Sequence, residues 1–225
     1  MKRSFSPSEK LTTGDVPEID KKKVKEREIA LFSLGCFWGP DALFGSLSGI
    51  LRTEVGYAGG KKKKPTYRDL GDHTESIRIE YNPDEITYKD LLDNFWRSHD
   101  PTRIREKQYR SMIFHYCEKQ KILAQQSKDV VNKEPRTVIK AYRNFYPAED
   151  YHQKYHLSKN KALNYAFRSL YPEMSDYIGS TAVARVNGYV AGHGTINSKE
   201  ELERLGLTEE GCKLLYNIWN KSRGS

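Results

Sequence analysis

The chain has 225 residues, of which 37% are hydrophobic and 30% charged, a balance that suits one globular unit with a sizeable core and a heavily charged surface. It carries a net charge of +8 and no apolar run near the ~20 residues that cross a bilayer, which excludes a membrane-spanning helix. Its opening, MKRSFSPSEK, lacks the apolar core of a secretory signal, so a cytoplasmic setting is expected.

Residues 1–26 are polar, rich in Ser, Pro and Lys, and without periodicity, which predicts a flexible arm. Ile29 to Leu34 is a short apolar run ended by Gly35 and reads as a buried strand. Pro40 suits a first helical turn, so a helix is predicted from Phe37 to about Leu47. VGYAGG, residues 55–60, reads as a turn leading into a lysine loop. In ESIRIEY, Ile77, Ile79 and Tyr81 alternate with polar residues, the pattern of a half-buried strand. Tyr88, Leu91, Leu92, Phe95 and Trp96 then share one helical face.

Met112 to Tyr116 predicts a strand that ends before a rigid, buried Cys117. Glu118 to Lys133 predicts a polar helix, Thr137 to Tyr142 a strand, and AEDYHQKY (148–155) a short turn or helix. Asn160 to Leu170 is predicted helical. TAVARVNGYVAG (181–192) reads as a hairpin, because Asn187-Gly188 is a pair that type I′ turns prefer. Two helical stretches close the chain, the second capped by Thr208 with Glu209 and Glu210 in its first turn. Strands and helices in this order predict an α+β two-layer sandwich around one mixed sheet, with a core from 27 to 155 and an extension from 156 to 225 packed on it.

Two lysine clusters, Lys21–Lys23 and Lys61–Lys64, carry much of the positive charge. Neither has interleaved aromatic residues for base stacking, so they read as solvated surface and not as a nucleic-acid site. Cys36, Cys117 and Cys212 are too few for a secreted disulfide scaffold. There is no C-x-x-C and no histidine at a ligand spacing from any of them, so no metal site is expected.

Cys36 is placed differently. It stands where a strand gives way to a helix, in LGCFWGPDALF, where unpaired backbone N–H groups and the helix dipole favour a thiolate. Phe37 and Trp38 would border the same hollow, although a buried structural cysteine beside core rings fits the residues equally well.

The wider pattern decides between these. GCFWG (35–39), GYAGG (56–60), PTY (65–67), HTES (73–76), FWRSHDPT (95–102), QYRS (108–111) and FYPAEDYHQKY (145–155) occur in this order, and together they resemble the A-type peptide methionine sulfoxide reductases. The resemblance spans about residues 28–155 and implies a ferredoxin-like sandwich core. It implies reduction of methionine S-sulfoxide, free or in proteins, without metal or organic cofactor. Cys36 would be the nucleophile, Glu75 the proton donor, Tyr67 and Tyr109 donors to the sulfoxide oxygen, and Phe37 and Trp38 the cradle of the methyl group. Glu149, Asp150, His152 and Tyr155 would brace the pocket. Cys36 would become a sulfenic acid, reduced through a second thiol and then thioredoxin, or directly by an external thiol. A monomer is expected. The other reading is a redox sensor or sulfoxide binder that keeps the pocket with little turnover.

Three departures from the family pattern stand out. Asp41 occupies a position where most members have glutamate, and little effect is expected. Only TRIREK separates HDP from QYRS, which removes a family aspartate and leaves Glu106 as the only acidic residue there. The glycine-rich tail with its resolving cysteine is absent, which leaves Cys212, near the C-terminus and expected to be mobile, ahead of Cys117 as candidate resolver.

Overall fold

The computed structural model describes residues 10–131 and 134–223. In chain order the elements are α1 (Glu18–Lys21), β1 (Glu28–Leu34), α2 (Trp38–Gly45), β2 (Ile50–Ala58), β3 (Thr74–Tyr81), α3 (Tyr88–Arg97) and β4 (Ser111–His115). They continue with α4 (Glu118–Asp129), β5 (Val138–Ala141), β6 (Phe145–Pro147), α5 (Tyr155–Lys159), α6 (Lys161–Leu170), α7 (Met174–Gly179), α8 (Thr181–Val190), α9 (Lys199–Glu203) and α10 (Glu209–Arg223). Single 3-10 turns lie at Lys107–Tyr109 and Asp150–His152.

The strands form one six-stranded sheet in the order β5-β4-β1-β3-β2-β6, antiparallel except for the parallel β4–β5 pair. Alternation decides which residues face the helices. Ala30, Phe32 and Leu34 of β1 and Ile77, Ile79 and Tyr81 of β3 pack with Phe44 of α2 and with Leu91, Leu92 and Phe95 of α3. Leu31, Ala58, Met112 and Phe114 point to the opposite face. Thr87 caps α3 through a reciprocal box with Asp90, which satisfies two amides that would otherwise be orphaned. Elements α5 to α10 build a second apolar core that includes Leu163, Phe167, Val183, Leu215 and Trp219.

Three expectations are corrected. The arm predicted over 1–26 is not free along its described part. Leu11 is buried in the second core, and Thr13 N–H donates to Gly206 O at 2.9 Å. Asp20 accepts from Tyr171 Oη, Ser180 Oγ and the Ala182 amide. The first nine residues of that expectation lie outside the described residues.

VGYAGG is not a turn from its start, since Val55 to Ala58 are the end of strand β2. Gly56 reads as a loop residue but serves close approach, because a β-carbon there would collide with Tyr146 O and the Phe145 ring of the neighbouring β6.

The hairpin of residues 181–192 is instead helix α8, capped by Ser180. Its Asn187 and Gly188 serve packing and not a turn. Asn187 is buried, accepts the Leu157 amide at 3.0 Å and donates to Asp41. A β-carbon on Gly188 would lie 2.6 Å from Ala42 O and 2.6 Å from Ser46 Cβ, so α8 crosses α2 almost backbone to backbone. Gly188→Ala is therefore expected to destabilise the fold by about 1–3 kcal/mol, the usual cost of overpacking, measured by urea unfolding. An unchanged midpoint would show that this crossing is not tight.

Candidate functional site

β1 ends at Leu34, and Gly35 takes φ +112, a left-handed backbone open to glycine, which swings the chain into α2. Cys36 sits on this bend, exposed, between buried Gly35 and buried Phe37. The alternation that buries Ile77, Ile79 and Tyr81 places Glu75 on the same sheet face, two residues nearer the start of β3 and beside the start of α2. Glu75 is 1% exposed. Its Oε2 accepts the Phe37 amide at 3.0 Å, and its Oε1 accepts Gln108 Nε2 at 2.7 Å. The buried carboxyl thus lies directly against the thiol-bearing bend.

Burial raises the Glu75 pKa above the ordinary carboxylate value, and the two hydrogen bonds only partly offset it. The Cys36 thiol is also raised. Burial of the sulfur is the main cause, the Trp38 amide at the helix start pulls the other way, and the charge of Glu75 adds to the rise. This corrects the expectation of a thiolate favoured outright. The helix-start N–H does act on the sulfur, but desolvation outweighs it. The two groups are coupled, because the penalty on the thiolate that comes from Glu75 disappears when Glu75 is protonated.

Rings form the rest of the wall. Trp38 stacks on Tyr155 at 3.6 Å and 4°, and its indole N–H donates to His152 Nδ1 at 3.3 Å. Phe37 is buried against Tyr57 and His152. Tyr67 lies 4.5 Å from the His152 ring, and its phenol adjoins that of Tyr109. The Tyr109 phenol is pushed up to about 12, by burial first and then by the adjoining Tyr67 phenol, so it keeps its proton at neutral pH.

His152 is 2% exposed, and burial lowers its pKa, so the ring is neutral. With Nδ1 accepting from Trp38, its proton sits on Nε2, which has no partner among the described residues. Glu149 accepts Tyr57 Oη at 2.7 Å and the Tyr67 amide at 3.0 Å. These bonds hold its carboxyl below the ordinary value although burial works in the opposite direction.

The structure therefore brings Cys36, Glu75, Phe37, Trp38, Tyr67, Tyr109, Glu149, His152 and Tyr155 together. Asp150 is the exception: its side chain is exposed, and only its backbone oxygen is engaged, by the Gln153 amide. Both candidate resolving thiols are also corrected. Cys212 is not mobile but lies in α10, 3% exposed, inside the second core. Cys117 is exposed and not buried, at the start of α4. It follows the far end of β4, whose first residue Ser111 pairs with Leu34 beside the bend. The length of a five-residue strand, about 17 Å, separates it from Cys36 along the sheet. Among the described residues no group of His, Cys, Asp or Glu could hold a metal ion.

Two features escaped sequence reasoning. Gln108, adjacent to Tyr109 in QYRS, is the side-chain partner of Glu75. Asp41 and Lys154 form a fully buried ion pair at 2.8 Å, with Lys154 Nζ also donating to Thr53 Oγ1 at 2.9 Å. Asp41 further accepts Thr53 Oγ1 at 2.6 Å and the Lys154 amide at 3.1 Å. The network fastens the helix of Trp38 to the segment of His152 and Tyr155. Its signal was present as a charged residue in the first turn of α2 and a lysine inside DYHQKY, but neither spacing distinguishes a buried pair from surface charges.

Comparison with known proteins agrees with this geometry. The family profile described as peptide methionine sulfoxide reductase matches residues 28–184. A peptide methionine sulfoxide reductase of Drosophila melanogaster is 44% identical over 203 residues, 87% of this chain and 81% of its own length. Peptide methionine sulfoxide reductase A5 of Oryza sativa is 41% identical over 204 residues, 85% and 80% of the two chains. Among solved structures, methionine sulfoxide reductase A of Corynebacterium diphtheriae aligns with a TM-score of 0.56 at 28% identity, covering 71% of this chain and 92% of that one. Reduced Mxr1 of Saccharomyces cerevisiae aligns with a TM-score of 0.55 at 30% identity, covering 63% and 90%. With a matching profile over more than half its length and a relative 44% identical over 87% of it, the chain belongs to the peptide methionine sulfoxide reductase family.

Proposed function

We propose that the protein reduces methionine S-sulfoxide, free or within polypeptides, to methionine, with Cys36 as nucleophile and Glu75 as acid. The observation that carries this reading is a buried carboxyl of raised pKa whose Oε2 accepts the amide of the residue next to an exposed cysteine. A sulfoxide is a poor electrophile until its oxygen is protonated or strongly hydrogen-bonded. Glu75, whose hold on its proton burial strengthens, gives the oxygen that proton, while Tyr67 and Tyr109 donate to it. The half-buried Trp38 holds the methyl group on sulfur by contact, and Phe37 backs it from the core. Methyl group and oxygen cannot exchange places in such a pocket, which selects one epimer.

The step balances. The Cys36 thiolate, the sulfoxide and the Glu75 proton become a Cys36 sulfenic acid, methionine and the Glu75 carboxylate, so the cysteine sulfur is oxidised and the substrate sulfur reduced. A dithiol such as thioredoxin then returns Cys36 to the thiol, with release of water and formation of a disulfide in the donor. The burial of Cys212 and the remoteness of Cys117 support a cycle in which the external thiol acts on Cys36 directly. Mass spectrometry after one turnover without reductant tests this. The expected species is a Cys36 sulfenic acid that a dimedone-type reagent traps, and a Cys36–Cys212 or Cys36–Cys117 disulfide would refute the direct route.

The β-α-β-β-α-β succession, with central order β4-β1-β3-β2, supports a ferredoxin-like sandwich for the core. Among the described residues no helix is long and apolar enough to cross a membrane, in keeping with action in an aqueous, reducing compartment such as the cytoplasm. The protein acts as a monomer in this reading, since the pocket is complete within one chain.

A further inference from the structure

The lysine run Lys61–Lys64 is not only a solvated loop. It belongs to the segment between β2 and β3 that supplies Tyr67 to the pocket, while the segment between α3 and β4 supplies Gln108 and Tyr109. Tyr67 against His152 and Gln108 on Glu75 bring the two segments to the same site, where the Tyr67 and Tyr109 phenols adjoin. Both are basic. From Lys61 to Asp72 there are five basic and two acidic side chains, and from Ser98 to Arg110 four basic and two acidic.

Little of this charge is neutralised. Lys62 pairs with Asp69, and Asp72 accepts the amides of Lys61 and Lys62. Among the described residues no other basic side chain of the two segments forms an ion pair, and neither does Glu106. Lys61, Lys63, Lys64, Arg68, Arg103 and Lys107 are exposed. Arg105 is the innermost cation. Its guanidinium lies 3.2 Å from where a β-carbon on Gly35 would stand, one residue from Cys36, and its Nε is buried without a hydrogen-bond partner among the described residues. Ile104, 76% exposed, projects between Arg103 and Arg105. The Glu149 carboxylate is taken by Tyr57 and Tyr67, and the next residue, Asp150, has an exposed side chain.

We propose that these two basic segments select oxidised methionines flanked by aspartate or glutamate in polypeptide substrates, a specificity that rests on the reductase reading above. A chain that presents a sulfoxide to Cys36 carries its neighbouring residues over the rim at about 3.3 Å per residue, well within the ~8–10 Å over which charges act at physiological ionic strength. Acidic neighbours meet Arg105 first and the lysines and Arg103 outside it. Basic neighbours are repelled, which slows encounter more than it alters chemistry. Free methionine sulfoxide has no neighbouring residues and is indifferent to the rim.

Short peptides with methionine sulfoxide between aspartates, between alanines or between lysines, reduced with dithiothreitol, test the proposal. At low salt, kcat/KM for the aspartate peptide should exceed that for the lysine peptide by about tenfold, the lower end of electrostatic steering. High salt should close the gap. In the Lys63→Glu/Lys64→Glu/Arg103→Glu variant the order of the aspartate and lysine peptides should reverse. Equal rates in the unaltered protein, or a gap that neither salt nor the variant moves, overturns the specificity. So does a variant that slows only thioredoxin-driven turnover, which would assign the rim to the reductant. If no peptide is reduced and free methionine sulfoxide is not reduced either, it is the reductase reading that fails.

Discussion

Cys36→Ser is expected to lower reduction of free methionine sulfoxide by at least about 10⁴-fold, the scale of removing a covalent nucleophile. Serine fits the bend, because Cys36 is exposed and a hydroxyl is no larger than the thiol it replaces. The variant should therefore fold with an unchanged unfolding temperature and fail only in chemistry, since a hydroxyl cannot take the sulfoxide oxygen as sulfur does. Methionine release measured with dithiothreitol as donor reads the effect. Retention of more than about a hundredth of the activity would remove Cys36 from the centre of the mechanism.

Glu75→Gln should cost about 10²–10⁴ in kcat/KM, the usual worth of a positioned general acid. The amide can be accommodated: its oxygen accepts the Phe37 N–H, and Gln108 turns its own amide to accept from the new NH₂. The pH dependence separates lost acid chemistry from lost structure. Glu75 must be protonated to donate, and its pKa is raised, so activity through this group holds at low pH and falls as pH rises through the folded-state value. The variant has nothing to titrate there and should lose that limb.

Stability follows pH in the same direction. A carboxyl whose pKa is raised in the folded state holds its proton more tightly folded than unfolded. The folded state is then favoured most below the unfolded pKa, and this advantage is lost as pH rises through the folded value. Glu75→Gln should consequently match the parent protein in acid and melt at a higher temperature above that window. Equal melting at every pH would show that burying this carboxyl carries no cost.

The local rules explain which parts of this architecture were legible. β1, β3, β4 and the amphipathic α3 follow their two- and 3.6-residue periods, and the Thr208 cap and its acidic first turn fall where α10 begins. β2 and α8 were misread for one reason. Gly56 and the Asn187-Gly188 pair carry residues that mark turns when only the chain's own backbone is considered, whereas here a neighbouring strand and a neighbouring helix press against them. That information is tertiary. The site residues were legible through motifs strung over more than a hundred positions, each uninformative alone. Gln108 was hidden beside a tyrosine already given a role, and the fate of Cys212 could not be read because its burial depends on a helical core contributed by segments far apart in sequence.

The buried Asp41–Lys154 pair has a consequence for how the protein can be shortened or recombined. Asn187 of α8 both accepts the Leu157 amide and donates to Asp41, so the last polar contact of that pair comes from beyond residue 156. A fragment cut at the end of the motif-bearing region would uncover the Ala42 and Ser46 surface of α2 and open a charged interior to water. The segment least like the motifs is thus what keeps the thiol-bearing helix in register, and homologues with different tails should not be interchangeable with this one at that seam.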